Sequence, residues 1–407
     1  MDAGSTIKSG SAATAYLLGA RALRDFGDGF VAVLLPVYLL ALGYSPLAVG
    51  AIATAALLGS ALLTMIIGLI GGRHDHRRLL LAAAGLMIAS GVAFAVIDDF
   101  AVLLVVAFAG TVNLSSGSVS IFVPLEHAVL AREVGDRERT KMFARYSLFG
   151  ALSAALGALA AAIPEYLSGM GISVLVTIKA MFVVYALLGV AGSLLYARLP
   201  KLPPPQGNGG NAIAALGPSR HIVYRLAALF CLDSFAGGFV VQSLLALWLF
   251  ERFEMSLAAA SVFFFWSGVL SAFSFPVAAW LSQRLGLVNT MVFTHIPSSI
   301  CLMLAAVSPT LPLALGLLLV RSALSQMDVP TRSSYVMAVV TPQERAAAAS
   351  FTSVPRSLAS AVSPTLAGAL FAASLQAWPL LICGALKILY DVLLLLQFRH
   401  IKPPEER

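Results

Sequence analysis

The hydrophobic positions of the chain fall into long runs separated by short polar breaks. Apolar runs of about 20 residues recur from near Thr14 to Phe398, which is long enough to cross a ~30 Å hydrocarbon layer as helices. Lipid offers the backbone no hydrogen-bonding partner, so each run is expected to be helical, and the period-2 alternation of a membrane β-barrel is absent from the sequence. The pattern predicts an all-α integral membrane protein with twelve transmembrane helices, near residues 14–42, 46–71, 79–97, 100–123, 142–163, 172–196, 222–250, 257–281, 290–307, 311–331, 346–371 and 378–398.

Composition and charge support the membrane assignment. Of the 407 residues, 59% are hydrophobic and 11% are charged, whereas a soluble domain carries about 25% charged residues. The net charge of +7 does not indicate a nucleic-acid partner, because basic residues such as Arg77 and Arg399 lie in alternate loops or the C-terminal tail, while the intervening loops carry acids such as Asp98 and Glu165. This asymmetry predicts that both termini are cytoplasmic.

One polar segment divides the chain into two similar halves. Residues 199–220 contain three consecutive prolines and a Gly-Asn-Gly-Gly run, which favours a flexible linker. Asp25 and Asp233 are separated by 208 residues, as are Lys179 and Lys387, so rare charges recur at one offset. We therefore predict an N-terminal six-helix bundle (1–198), a cytoplasmic linker (199–220) and a C-terminal six-helix bundle (221–407).

The loop after the second helix carries a recognisable motif. Residues 68–78 contain glycines, Arg73 and a basic cluster, and the repeat-related residues 279–286 keep Arg284. This loop resembles the cytoplasmic signature of the major facilitator superfamily, although the usual aspartate is replaced by Gly72 and Gln283. The resemblance implies two pseudo-symmetric six-helix bundles that alternate access to a central site, with Arg73 and Arg284 as conformational residues.

A second resemblance concerns the kind of transport. Residues 325–332, Ser-Gln-Met-Asp-Val-Pro-Thr-Arg, resemble a group of bacterial exporter-like facilitators, and Pro364 lies in the repeat mate of the helix where drug–proton antiporters carry a glycine-proline signature. These features imply an efflux antiporter of the bacterial cytoplasmic (inner) membrane.

Charges in the first helix are the leading candidates for transport chemistry. Arg21, Arg24, Asp25 and Asp28 have the spacing of one helical face, and the spacing predicts pairs Arg21–Asp25 and Arg24–Asp28. The face is either a self-neutralised packing strip or part of the cavity. Because the resemblance implies that the first and seventh helices line that cavity, we expect Asp25, Asp28 or Asp233 to bind the coupling proton.

The tenth helix supplies a second set of charges. Asp328 and Arg332 are spaced as an i, i+4 pair, and two roles remain open for them: a gate that clamps to Glu126 or Arg145, or contact with the ligand. Arg321 lies deeper in the helix and is a candidate partner for an anionic substrate.

Further polar residues lie inside the predicted helices. Arg356 has no acid within one turn, and its partner must come from elsewhere. Lys387 and Asp391 are expected to pair at i, i+4. Asn113 and Gln242 are candidates for hydrogen bonds to a substrate, although helix–helix contacts explain such residues equally well.

The sequence favours secondary transport over the other function classes. It contains no phosphate-binding loop, metalloprotease motif or serine elbow, and its three cysteines are dispersed in apolar runs, so we expect no enzyme, cofactor or metal. We predict a monomer that moves a small organic compound across the bilayer, coupled to protons, most simply as efflux. The alternative is transport of a small anion (a carboxylate, or a phosphate-like or arsenic-containing ion), or uptake instead of export. A receptor built on the same fold is a further alternative.

Overall fold

The computed structural model describes residues 3–70, 74–113, 120–133, 136–200, 217–341 and 344–400, and the regular structure in these ranges is helical. Sixteen α-helices follow one another in these ranges: α1 (Ala3–Ala41), α2 (Pro46–Ile70), α3 (His76–Val96), α4 (Phe100–Ala109), α5 (Phe122–Glu133), α6 (Asp136–Ala160), α7 (Ile163–Ser168), α8 (Val174–Ala197), α9 (Arg220–Gly238), α10 (Gln242–Phe253), α11 (Leu257–Leu285), α12 (Leu287–Ala306), α13 (Leu311–Ser325), α14 (Asp328–Ala338), α15 (Arg345–Ala372) and α16 (Trp378–Phe398). The predicted all-α class is confirmed.

Three of the predicted continuous helices are broken, so those predictions were wrong in detail. The predicted fourth helix consists of α4 and α5, the seventh of α9 and α10, and the tenth of α13 and α14. Gly110 ends α4 in an extended conformation, and two glycines end α9. Pro330 lies in the first turn of α14, where its missing N–H costs no helical hydrogen bond. Glycine and proline allow a helix to end inside an apolar run, and the hydrophobicity pattern alone does not show such a break.

Many of the helices have the length and composition of membrane spans. Within the described ranges, nine helical segments are long and apolar enough to cross a bilayer. The first helix, α1, is not among them, because four charged residues occupy its middle. Hydropathy therefore underestimates a helix that carries charged residues in its middle.

The chain divides into two compact units that exchange short segments. Unit 1 contains Met1–Tyr44, Ala55–Gly209 and Ser256–Phe265, and unit 2 contains Ser45–Thr54, Gly210–Met255 and Trp266–Arg407. The first turns of α2 thus belong to unit 2, and the first turns of α11 belong to unit 1. Most of the predicted linker, residues 201–216, lies outside the described ranges, and the predicted domain boundaries stay predictions.

Glycines allow α1 to lie close to α6 in unit 1. A β-carbon added to Gly157 would collide with the carbonyl oxygen of Phe26, and one added to Gly29 would collide with that of Ala154. Because neither glycine carries a side chain, the two backbones come into direct contact. This contact fixes the position of the charged face of α1.

Unit 2 contains a similar close contact between α2 and α15. A β-carbon on Gly50 would collide with the carbonyl oxygen of Pro364, and one on Gly368 would lie 3.0 Å from the Cα of Gly50. Beside this contact the hydroxyl of Thr365 donates to that of Thr54 at 2.8 Å.

Candidate functional site

The charged face of α1 is anchored by a buried acid from α5. Arg24 binds Glu126 through both guanidinium Nη atoms, each 3.1 Å from a different carboxylate oxygen, and Glu126 is 0% exposed. The hydroxyl of Tyr196 donates to the same carboxylate at 2.6 Å, and the hydroxyl of Tyr146 donates to its other oxygen. Arg24 also lies 4.4 Å from the ring centroid of Phe122. Each carboxylate oxygen therefore has a cationic and a neutral donor, as a buried ion pair requires.

One of the two predicted pairs along α1 is confirmed and the other is wrong. Arg21 Nε lies 2.5 Å from Asp25, in the predicted i, i+4 arrangement. Arg24, by contrast, turns to Glu126 and lies 3.4 Å from Asp25, and it does not pair with Asp28. The planar guanidinium of Arg24 makes two parallel bonds to the fully buried Glu126, so its donors are used there and not at Asp28.

Asp28 has a different environment from the other acids of unit 1. It is 8% exposed, and it accepts a hydrogen bond from the hydroxyl of Tyr185 at 3.0 Å. The backbone N–H of Asn113 also donates to this carboxylate. Among the residues that the structure describes, no cation lies within ion-pairing distance of Asp28.

In unit 2, Asp233 is the centre of a buried ionic network. Arg332 Nη1 donates to one carboxylate oxygen at 2.9 Å, and Lys387 Nζ donates to the other at 2.6 Å. Arg332 also contacts Asp328 at 3.3 Å, which confirms that predicted pair. The predicted pair of Lys387 with Asp391 is wrong, because the lysine is drawn to Asp233 on a neighbouring helix.

His295 on α12 joins this network and was missed by the sequence analysis. Its Nδ1 lies 3.0 and 3.1 Å from the two oxygens of Asp391, and its Nε2 lies 3.2 Å from Lys387 Nζ and 3.9 Å from Asp233. An ammonium group can only donate, so Nε2 accepts and Nδ1 carries the proton towards Asp391; these partners assign a neutral imidazole. A single histidine within an apolar run, in the helix that packs on α16, was the available signal.

Two partly buried arginines of unit 2, both predicted to be functional, have no polar partner among the described residues. The side chains of Arg321 on α13 and Arg356 on α15 are both partly buried, and neither forms an ion pair or a hydrogen bond with any described residue. The backbone carbonyl of Arg321 accepts a bond from Ser298 at 3.4 Å. Arg356 lies within electrostatic range of Arg332, Asp233 and Asp328, with the repulsion by Arg332 the strongest influence.

Comparison with known proteins identifies the family. A model of the Major Facilitator Superfamily matches residues 17–320 and 226–407. The chain belongs to the Major Facilitator Superfamily. It is 23% identical over 411 residues to an uncharacterized membrane protein of Saccharomyces cerevisiae, with 92% of each chain covered.

Solved structures confirm the predicted fold of this facilitator. The nucleoside transporter NupG matches with a TM-score of 0.71 and 15% identity, covering 95% of this chain and 99% of that one. The human organic anion transporter MFSD10 matches with a TM-score of 0.65 and 17% identity, again covering 95% and 99%. The protein is thus a multi-pass membrane transporter of the superfamily, with its all-α fold.

The charges of the predicted gate have different surroundings within the two units. Glu126 is paired with Arg24 inside unit 1, and Arg332 is paired with Asp233 inside unit 2. Arg145 is exposed and makes no ion pair within the described part of unit 1. The clamp of Asp328 and Arg332 to Glu126 or Arg145 would join the two units, and it stays a prediction.

The remaining predicted residues occupy varied positions. Arg284 of the superfamily signature is exposed and stacks 4.3 Å from the ring centroid of Trp280, while Arg73 lies outside the described residues. Gln242 begins α10, where it is half-buried, and Asn113 lies in the extended segment that follows α4. Of these, the structure brings only Asn113 to a charged group, Asp28.

Proposed function

We propose that this facilitator moves a small organic solute out of the cell by alternating access, that protons drive the movement, and that Asp28 binds and releases the proton. The observation that carries the proposal is that Asp28 is a buried carboxyl group with hydrogen-bond donors but no ion pair to any residue that the structure describes. The other two predicted proton sites are already paired, Asp25 with Arg21 and Asp233 with Arg332 and Lys387.

The surroundings of Asp28 suit a group that changes charge. A buried carboxylate that lacks a cation is costly to keep ionised, whereas its neutral form costs much less. Tyr185 supports both forms, because its hydroxyl donates to the carboxylate and accepts from the protonated acid. A proton drives transport only if it binds the two access states with different affinity, and a lone buried acid that gains or loses water access meets this condition.

Other features support the solute class and the direction. The solved relatives include a nucleoside transporter and an organic anion transporter, both of which handle small organic solutes. Residues 325–332 and Pro364 resemble exporters and favour efflux. A monomer in the bacterial inner membrane with cytoplasmic termini completes the proposal.

The test is Asp28→Asn in proteoliposomes. A solute is first found by screening small organic compounds for uptake into inside-out vesicles under an imposed pH gradient. We expect Asp28→Asn to abolish gradient-driven accumulation and solute-dependent proton movement while solute exchange at equal pH persists. The matched control is Asp99→Asn, since Asp99 caps α4 at an exposed position and asparagine caps equally well.

Two outcomes would contradict the proposal. Full gradient-driven accumulation by Asp28→Asn would remove Asp28 from proton coupling. Accumulation by the unaltered protein that follows the membrane potential alone, with no proton movement, would remove proton coupling altogether.

A further inference from the structure

Arg356 is an unpaired cation next to a network whose acids all have closer partners. Asp233 is held by Arg332 and Lys387, and Asp328 is held by Arg332. Arg356 is left with five N–H donors and no acceptor among the described residues, and the like charge of Arg332 acts on it electrostatically. A partly buried guanidinium without a partner is costly unless it meets water or a ligand.

No hydrogen bond or ion pair with a described residue gives this arginine a structural role. Its side chain is only partly buried, and the positive charge of Arg332 opposes it. An unligated site of this kind is expected to gain stability when a negative group arrives, because that group would neutralise Arg356 and supply its missing acceptors.

We propose that Arg356 binds the carboxylate of a small organic anion, and that such anions are the solutes carried. A planar carboxylate accepts two parallel N–H bonds from a guanidinium, which a chloride ion does not. Arg332, whose positive charge acts on Arg356 electrostatically, is held in place by Asp233 and Asp328 and stands over Phe230 at 5.5 Å. This inference rests on the proposed transport function, which it narrows to anionic solutes.

The test measures binding rather than transport, so it can fail without affecting the proton proposal. The purified, delipidated protein is melted in a neutral detergent at constant ionic strength with benzoate, succinate, citrate or inorganic phosphate. We expect at least one carboxylate to raise the melting temperature, and we expect Arg356→Gln to weaken its binding by about tenfold or more, the size of a lost charge-assisted contact. Arg356→Lys should bind the carboxylate with intermediate strength, because lysine keeps the positive charge but lacks the planar guanidinium that donates two parallel bonds.

A matched control and a second readout separate binding from structure. Arg225→Gln alters an exposed arginine of the same unit and should bind like the unaltered protein. Without ligand, Arg356→Gln should melt at the same temperature as the unaltered protein or higher, because it removes the repulsion with Arg332. A lower melting temperature without ligand would assign Arg356 a structural role and overturn the inference.

Three further outcomes of the melting experiment would each overturn the inference. Equal binding by Arg356→Gln, or no stabilisation by any of the three carboxylates, would overturn the inference. Stabilisation by added phosphatidylglycerol alone, lost in Arg356→Gln, would show that the site holds an anionic lipid headgroup and would likewise overturn the assignment to a solute.

Discussion

Buried acids in this protein are stabilised in two different ways. Glu126 is held by a guanidinium fork and two phenol hydroxyls, so its charge is both paired and hydrogen-bonded. Asp391, which is also 0% exposed, has His295 as its partner among the described residues. The first arrangement suits a permanent ion pair, and the second places a group able to change its charge beside the acid.

The Arg24–Glu126 pair makes the first prediction. Arg24→Met leaves Glu126 buried without its cation, and we expect the free energy of unfolding to fall by about 3–5 kcal/mol, the cost of breaking a buried pair from one side. The double variant Arg24→Met with Glu126→Met should recover most of this loss, because no charge remains unpaired. Chemical denaturation in detergent measures both, with the exposed Arg225→Met as control. Equal stability of Arg24→Met and the control would show that the pair is not needed.

Half of the four predicted local pairs formed, and the distant partners were not predictable from the sequence. Arg21–Asp25 and Asp328–Arg332 follow from i, i+4 spacing alone. The partner of Arg24 lies 102 residues away, so no helical period indicates it. His295 was missed for the same reason: its charged neighbours come from α9 and α16, and spacing within α12 carries no information about them.

At the scale of helices, Glu344 links the starts of α9 and α15. Its carboxylate accepts bonds from the hydroxyls of Ser219 and Thr341, both at 2.6 Å, and from the backbone N–H of Gly217 at 2.6 Å. These bonds, led by that from Ser219, lower the pKa of Glu344 from its ordinary value of 4.5 to about 2. The interaction lies outside the helices themselves, so it tests the packing of the two helix starts without altering a membrane-spanning residue.

The second prediction follows from this pKa. Because the folded pKa lies below the unfolded one, the charged form adds stability above about pH 4.5, and this stability is lost as the pH falls towards 2. Glu344→Gln should therefore lower the melting temperature at pH 7, and its difference from the unaltered protein should shrink steadily between about pH 4.5 and 2. Glu254→Gln, at an exposed helix end, is the control. A difference that stays constant over this pH range would mean that the ionised carboxylate is not the cause.

Helix ends were less predictable than helices. The apolar runs located α2, α3, α8 and α16 to within a few residues, because nothing interrupts them. The breaks after α4, α9 and α13 depend on glycine and proline inside apolar runs, where hydropathy does not change. Asn113, which reaches Asp28 from such a break, was expected in mid-helix and lies instead in non-helical backbone, where its N–H donates to Asp28.

In the molecule as a whole, the two predicted repeats carry charged residues at equivalent positions, but those residues have different partners. Lys179 and Lys387 share the repeat offset, yet the first binds Asp98 at a half-exposed position and the second binds the buried Asp233. Arg24 on α1 binds an acid of α5, whereas Asp233 on α9 binds a cation of α14, so the polarity of the bond is reversed between the units. The repeat offset could identify which positions carry charge, but the pairing depends on contacts that differ between the two units.

The last prediction tests alternating access through α2 and α15. The first turns of α2 come from the first predicted half of the chain but pack within unit 2, where the hydroxyls of Thr54 and Thr365 lie 2.8 Å apart. Cysteines at these two positions, with Cys231, Cys301 and Cys383 replaced by serine, are close enough for a disulfide. If the two halves must part here once in each cycle, oxidation should stop solute movement and a reductant should restore it, while each single-cysteine variant is unaffected by either. Full transport by protein whose cross-link is shown to be complete would mean that this contact stays closed throughout the cycle, and the motion would then have to occur elsewhere in the fold.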